Sequence, residues 1–205
     1  METIKEIGFR RLYQKYVYIE HTKKLDVLGQ YFEGGDVATG VLAYCYVDHE
    51  GGLTFEVLAL AKRNGEALEF YSGNDEISIK FRYSSIADAG ALLLPSVLPP
   101  LKVYAEETAN IDAAYSHSEA VAKTRLLANL DTCRHEEYPD DVLVYLIHGD
   151  EHIEGCYVRL ENVCEMNLTG TLLNEPVYDY GVHEGDSLDF YLVKNERGIM
   201  CMAIL

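Results

Sequence analysis

Two pairs of potential metal ligands lie close together in the second half of the sequence. Cys133 and His135 are two residues apart, and His148 and His152 are four apart. Structural zinc sites present their cysteines and histidines in pairs with two to five residues between the ligands. Only the histidine pair has such spacing, and His148 ends an apolar segment whereas His152 lies in a polar turn. We therefore predict that the chain holds no metal.

Motifs that indicate catalysis or nucleotide binding are missing from the sequence. It contains no Gly-x-Ser-x-Gly nucleophile turn and no glycine-rich phosphate-binding loop. Adjacent acidic pairs such as Glu136-Glu137 and Asp140-Asp141 are expected to share one solvated environment, whereas catalytic carboxylates need separate environments that move their pKa values apart. We predict no catalytic residue and no cofactor, and we favour a role other than catalysis.

The charge of the chain is strongly negative and unevenly distributed. The formal net charge is -17, from 34 acidic and 17 basic residues. Residues 1–104 contain 14 acidic and 11 basic residues, whereas residues 105–205 contain 20 acidic and 6 basic residues. A nucleic-acid phosphate backbone or an anionic membrane would attract a Lys/Arg-rich surface instead, so we expect neither as a partner. A basic protein fits this charge, and solubility alone is the simpler explanation.

The cysteines and the hydropathy pattern indicate a reducing compartment. Five cysteines without tight spacing form a poor disulfide framework. No secretory signal is recognisable, and no apolar run approaches the ~18 residues of a membrane-spanning helix. We expect a cytoplasmic protein.

The first half of the chain has the pattern of a helix followed by an antiparallel sheet. Residues 22–32 have apolar side chains at helical spacing. Four strands are predicted at 37–47, 53–61, 67–71 and 77–83, connected as two hairpins through glycine-containing turns. Residues 92–103, with three prolines, are interpreted as the boundary segment.

The second half begins with a helix at 118–129, for which Ser118 is the candidate N-cap. Five strands follow, at 142–147, 156–160, 168–173, 187–193 and 199–204. One helix before a run of strands predicts an α+β fold. The predicted organisation is two units, 1–105 and 116–205, each with a helix and an antiparallel β-sheet.

Three segments of the second half carry a resemblance to a known family. They are Glu154-Gly155-Cys156-Tyr157-Val158, the segment from Thr169 to Pro176, which reads Thr-Gly-Thr-Leu-Leu-Asn-Glu-Pro, and His183-Glu184-Gly185-Asp186. Residues 116–205 resemble the bacterial family known as domain of unknown function 2314. The sequence differs from the family pattern in having Gly155-Cys156-Tyr157 in place of a His-Met/Ile-Trp segment, and in lacking an Asp-Trp pair near the end. The resemblance implies a fold and a bacterial source, and it implies no mechanism.

The resulting hypothesis is an acidic protein-binding module, in its concrete form a bacterial immunity protein that neutralises a basic toxin. The alternatives are a small enzyme whose site is not visible in the sequence and a structural accessory domain. No oligomeric state is predicted. The predicted partner-binding residues are acidic or aromatic: Glu136, Glu137, Tyr138, Asp140, Asp141, Asp150, Glu151, Tyr178, Tyr180, Glu184 and Asp186.

Overall fold

The structure, a computed structural model, describes residues 1–71, 77–149, 152–164, 167–196 and 198–205. The chain divides into two compact units, Met1–Ser116 and His117–Leu205. Each unit combines short helices with its own β-sheet, so the predicted α+β class is confirmed.

The first unit is built on a seven-stranded antiparallel sheet. The strand order is β1-β7-β2-β3-β4-β5, and β6 also pairs with β4. Its elements in chain order are β1 (Glu2–Thr3), α1 (Ile4–Ile7), α2 (Phe9–Leu12), β2 (Lys15–Glu20), a 3₁₀ helix (Lys23–Gln30), β3 (Gly40–Asp48), β4 (Gly52–Asn64), β5 (Ala67–Phe70), β6 (Lys80–Arg82), α3 (Tyr83–Ile86), β7 (Gly90–Leu94), a second 3₁₀ helix (Pro99–Tyr104) and α4 (Ala105–Ala114).

The central strands β3 and β4 are buried on both faces, which explains why their sequences are apolar at nearly every position. On one face Val41, Cys45 and Phe55 belong to a core that includes residues of α1 and α3. On the other face Tyr44 and its neighbours belong to a second core that includes residues of α4. Burial of both faces replaces the alternating pattern expected of a sheet with one solvated side.

The first unit differs from the sequence prediction in the pairing of its strands and in its boundary segment. The strands predicted at 67–71 and 77–83 do not form a hairpin with each other, because β5 and β6 both pair with the long strand β4. The turn predicted between them lies at residues 72–75, outside the described residues. Residues 92–103 include the end of β7 and the second 3₁₀ helix, and bury Leu94 and Leu101 in the first unit.

The second unit is a five-stranded closed barrel with the strand order β10-β11-β12-β8-β9. Consecutive strands are antiparallel, so the first and fifth strands run in the same direction, and the barrel closes through the parallel pair β8–β12. Its elements are α5 (Glu119–Leu126), a 3₁₀ helix (Ala128–Leu130), β8 (Asp141–His148), β9 (His152–Cys164), β10 (Asn167–Leu172), β11 (Ser187–Asn195) and β12 (Gly198–Ile204).

Alternate residues of the barrel strands fill its interior. Val144, Val158 and Phe190 are among the buried residues of this core. The predicted helix is confirmed as α5, and the Ser118 hydroxyl accepts a hydrogen bond from Val121 N, as expected of an N-cap. The turn after α5 adds Leu130 to the same core.

Candidate functional site

Two of the predicted partner-binding residues, Asp140 and Asp141, form ion pairs with arginines inside the second unit. Arg125 donates to both carboxylate oxygens of Asp140, at 2.8 and 2.6 Å, and only 5% of the Arg125 side chain is exposed. Arg159 donates in the same way to Asp141, which is buried, at 2.8 and 3.1 Å. The expectation that Asp140 and Asp141 share a solvated environment is therefore wrong. Charge-assisted bidentate pairs of this kind fix geometry as well as neutralising charge.

The other predicted partner-binding residues lie in several environments. Glu136, Glu184 and Asp186 are exposed, Glu137 and Tyr138 are partly buried, and Tyr178 is about half exposed. Tyr180 lies in the barrel core, and its hydroxyl has no hydrogen-bond partner among the described residues. Asp150 and Glu151 lie outside the described residues.

The segments that carried the family resemblance come together in space. The backbone N–H of Tyr157 donates to the Asn174 side chain at 2.8 Å. The Glu154 carboxylate accepts from the N–H groups of Val177 and Tyr178 at 2.9–3.3 Å. Gly170 lies at an irregularity in β10, where a Cβ atom would be 2.2 Å from the Arg159 carbonyl oxygen. These segments therefore have a structural role: they fasten residues 173–178 along the first half of β9.

A histidine–carboxylate pair joins the last two of these segments. His183 Nδ1 lies 2.8 Å from Glu175 Oε1, and the backbone N–H of Glu184 donates to Glu175 Oε2 at 2.9 Å. The hydrogen bond with Glu175 and then its negative charge raise the pKa of His183, while the bond with His183 lowers the pKa of Glu175. The imidazole is held in its protonated form to a higher pH than an ordinary histidine.

Removing the charge of Glu175 is expected to lower the pKa of His183. In Glu175→Gln, the pKa of His183 should fall toward the ordinary value of about 6.5, because the hydrogen bond to a carboxylate and the Coulomb attraction are both lost. Histidine side-chain NMR over a pH series measures the shift. Glu184→Gln is the matched control and should move the His183 pKa less; an equal movement in the two variants would contradict the pairing.

The four potential metal ligands of the sequence each have other partners. Cys133 Sγ lies 3.5 Å from the Ile199 carbonyl oxygen, and His135 Nδ1 accepts from Glu137 N and Tyr138 N at 3.2 Å. His148 Nδ1 is 2.9 Å from the Leu205 carbonyl oxygen, and His152 stacks on Tyr178 with ring centroids 4.2 Å apart. Among the described residues, no three His, Cys, Asp or Glu side chains are grouped so that they could hold a metal ion.

An apolar surface lies on part of the outside of four adjacent barrel strands, next to charged outward residues such as Asp141, Arg159 and Asp189, and we call it the apolar face. Register and alternation place its members outward, because their neighbours along each strand fill the core. Tyr191, Met202, Tyr145 and Gly155 form one row across β11, β12, β8 and β9. The apolar face consists of Leu143, Tyr145, Ile147, Ile153, Tyr157, Tyr191, Val193, Met200, Met202 and Ile204.

The composition of the apolar face departs from that of an ordinary protein surface. None of its ten members is charged. Ile153 and Ile204 are each about two-thirds exposed and Tyr157 is 39% exposed, whereas the other seven members are partly buried. At Gly155 the missing side chain leaves room for its neighbours: a Cβ atom there would be 3.1 Å from Leu143 Cδ1 and 3.6 Å from Tyr145 Cε1. Contiguous exposed apolar surface of this kind marks interaction sites in monomeric proteins.

Aromatic rings lie around the β9 side of the apolar face. The Tyr157 ring makes an edge contact with His135, with centroids 5.3 Å apart, and His135 also contacts Tyr138. The Tyr178 ring stacks on His152 next to Ile153. Sequence reasoning selected Tyr138 and Tyr178 but missed the apolar face. The sequence signal for this face is that β8 is apolar at 143, 145 and 147 as well as at the core positions between them, so both sides of the strand are apolar.

The first unit contains a buried polar network centred on Glu56. The Glu56 carboxylate accepts from Ser78 Oγ at 2.5 Å and Tyr46 OH at 3.3 Å, and Lys80 Nζ lies 3.9 Å away. Lys80 also donates to Tyr115 OH at 3.1 Å. Burial, and then the negative charge of Glu56, raise the pKa of Tyr46. Among the described residues, Tyr46, Ser78 and Lys80 of the same unit provide hydrogen bonds and a positive charge for this buried carboxylate.

No helix in the described part of the chain is long and apolar enough to cross a membrane. Comparisons of the sequence with protein-family models, with curated proteins and with solved structures find no match. The resemblance of residues 116–205 to the domain of unknown function 2314 family stays a prediction.

Proposed function

We propose that the second unit is a protein-binding module that docks a basic protein through the apolar face. The observation that carries the proposal is the uncharged band of ten outward side chains across β8, β9, β11 and β12. Tyrosine and methionine are enriched in the centres of protein interfaces because they offer large contact areas, and the band contains three tyrosines and two methionines. Burying this apolar surface against a partner removes it from water, which favours binding.

The charge of the second unit supports a basic partner. Residues 117–205 contain 17 acidic and 6 basic residues. Three of the six basic residues, Arg125, Arg134 and Arg159, form ion pairs with aspartates of the same unit. Outside these three pairs, the unit has 14 acidic and 3 basic residues, so its charge is strongly negative. A negative field of this strength speeds the encounter with a positive surface and opposes the approach of a second copy.

A cytoplasmic bacterial immunity protein that blocks a cationic toxin is the concrete form of this proposal. The five cysteines are free thiols, which suits a reducing compartment. The family resemblance suggests the bacterial source. The aromatic rings around His135, Tyr138 and Tyr178 extend the contact surface beside the apolar face.

A charge placed in the apolar face is expected to weaken partner binding at least tenfold. In Ile204→Asp, the carboxylate would have to be desolvated against an apolar partner surface. Leu126→Asp is the matched control, because Leu126 is exposed to a similar extent, 76% against 67% for Ile204, and lies on α5 outside the face. The full chain and both variants serve as baits in bacterial lysate, and binding kinetics are then measured on each purified captured protein.

Support requires a captured protein that is basic, that binds the Leu126→Asp bait normally and that is lost with Ile204→Asp. Its association rate should fall with added salt, since the Debye length shortens from about 10 Å at 0.1 M to about 3 Å at 1 M. An acidic partner, or equal binding to both variants, would refute the proposal. A concentration-dependent mass in sedimentation, abolished by Ile204→Asp, would assign the face to a second copy instead.

A further inference from the structure

In the sheet of the first unit, β7 is covered along one side and only partly along the other. On the first side, β2 pairs with residues 91–94 of β7. On the second side, β1 pairs with only Gly90 and Ala91. Within the described part of the chain, no strand pairs with residues 92–94 on this second side. An uncovered strand edge offers backbone N–H and C=O groups to another chain.

The hydrogen-bonding direction of β7 identifies Leu93 as the residue that faces the uncovered edge. Along a strand with antiparallel neighbours, successive residues direct their N–H and C=O groups alternately to the two sides. The Ile4 N–H donates to the Ala89 carbonyl oxygen at 3.0 Å, so Ala89, and by alternation residues 91 and 93, face the side of β1. Pro95 is next in this series and has no N–H. The edge therefore offers one complete N–H and C=O pair, at Leu93.

A cleft of about 700 Å³ lies beside this edge. Leu92 and Leu93 line it from β7, and Glu6, Ile7 and Arg11 line it from α1 and α2. Leu93 packs against the core cluster that contains Ile7. Because directly opposed residues of an antiparallel pair place their side chains on the same face, a residue opposite Leu93 would direct its side chain to this face. The cleft therefore combines a backbone edge with a site for one side chain.

The charged side chains of the cleft favour a basic residue at that site. They are two carboxylates, Glu2 and Glu6, and one guanidinium, Arg11. Arg11 donates to both carboxylate oxygens of Glu2 at 2.7 and 2.8 Å, so these two charges compensate each other. Glu6 is exposed and leaves the lining with one net negative charge. A lysine or arginine can lay its apolar stem on Leu93 and Ile7 and extend its charged head to Glu6.

We propose that this edge binds an extended segment of a partner protein, which adds to the sheet as an antiparallel strand beside β7 with a lysine or arginine opposite Leu93. The added strand continues the line of β1, which already occupies the same side of β7 at Ala91. Main-chain hydrogen bonds with Leu93 provide affinity, and the basic side chain in the cleft provides specificity. The site belongs to the first unit, and the proposal does not rest on the apolar face.

Four labelled peptides test the side-chain part of the proposal. Each is acetyl-Thr-Val-X-Val-Thr-amide, in which X is lysine, arginine, leucine or glutamate, and fluorescence polarisation measures binding to the full chain. We expect the lysine and arginine peptides to bind at least about fivefold more tightly than the glutamate peptide, and this difference should shrink with added salt. Equal binding of the lysine and glutamate peptides, or no binding at about 1 mM peptide, would overturn the proposal.

Glu6→Gln separates the charge of the cleft from its structure. Glutamine can still accept from the Thr3 N–H, so the capping box of α1 is preserved. Affinity for the lysine peptide should fall by about fivefold, and affinity for the leucine peptide should not change. The matched control is Glu66→Gln, which removes an exposed carboxylate from the turn between β4 and β5 and should leave both affinities unchanged. An equal loss in the two variants would show that the attraction does not come from the cleft, against the proposal.

Amide hydrogen exchange measured by NMR tests the backbone part of the proposal. In the free chain, the Leu93 N–H should exchange faster than those of Leu92 and Leu94, which face β2. A saturating amount of the lysine peptide should slow exchange at Leu93 more than at its neighbours. The proposal is wrong if the peptide binds without slowing Leu93, or if Leu93 is already as slow as Leu92 in the free chain. Protection of Leu93 that grows with protein concentration alone would assign the edge to a second copy and would also refute it.

Discussion

Replacing Asp140 by alanine is expected to lower the free energy of unfolding of the second unit by about 3 kcal/mol. The substitution leaves the Arg125 guanidinium, of which 5% is exposed, without its bidentate carboxylate. A buried charge that loses its partner keeps its full desolvation cost. Hydrogen exchange of the barrel strands, followed by mass spectrometry across a urea series, measures the loss.

Two controls separate this cost from a general effect of removing an acid. The double variant Arg125→Met/Asp140→Ala should recover most of the lost stability, because no unpaired charge remains in the interior. Glu184→Ala removes an exposed carboxylate from the same unit and should change the free energy of unfolding by about 0.5 kcal/mol or less. If Asp140→Ala costs no more than Glu184→Ala, the Arg125 pair is not structural and Asp140 returns to the set of docking candidates.

Phe55→Ala and Phe190→Ala are expected to cost about 3–5 kcal/mol each, and each in its own unit. Phe55 is fully buried in the first unit and Phe190 almost fully in the second. Truncation removes the transfer free energy of a ring and leaves a cavity that the surroundings fill only in part. Hydrogen exchange should therefore rise in β3 and β4 for Phe55→Ala, and in β8 to β12 for Phe190→Ala.

The pair of phenylalanine variants also tests the division of the chain. The core clusters of Met1–Ser116 and His117–Leu205 contain no residue in common. We expect each variant to leave protection in the other unit unchanged within error. Loss of protection in both units from either substitution would show that the chain unfolds as one cooperative body.

Local patterns in the sequence were sufficient for the α+β class and for most elements of the second unit. The strands predicted at 142–147, 187–193 and 199–204 correspond to β8, β11 and β12, because their apolar and β-branched residues are bounded by glycine turns. Ser118 was identified as a helix N-cap from its own type and position. Such features depend on a few neighbouring residues and on backbone preferences that act within one or two turns.

The sequence predicted secondary structure and strand pairing less well where both faces of an element are buried, or where the paired strands are far apart in the sequence. The strand β2 and the helix α4 were missed. Tyr16 of β2 is polar at its tip yet buried, because its hydroxyl forms a hydrogen bond with Thr108 of α4. β5 and β6 were paired with each other because they are neighbours along the chain. Only the length of β4 allows it to bind both.

The charge of the chain and its free cysteines were determined by the sequence itself. Which acids remain at the surface was decided by tertiary structure. Arg125 of α5 reaches Asp140, and Arg159 reaches Asp141, only when α5 has packed and β9 has paired with β8. The gathering of ten apolar side chains on one face has the same origin. Barrel closure joins β12 to β8, and that contact between the ends of the unit has no signature in any local stretch of sequence.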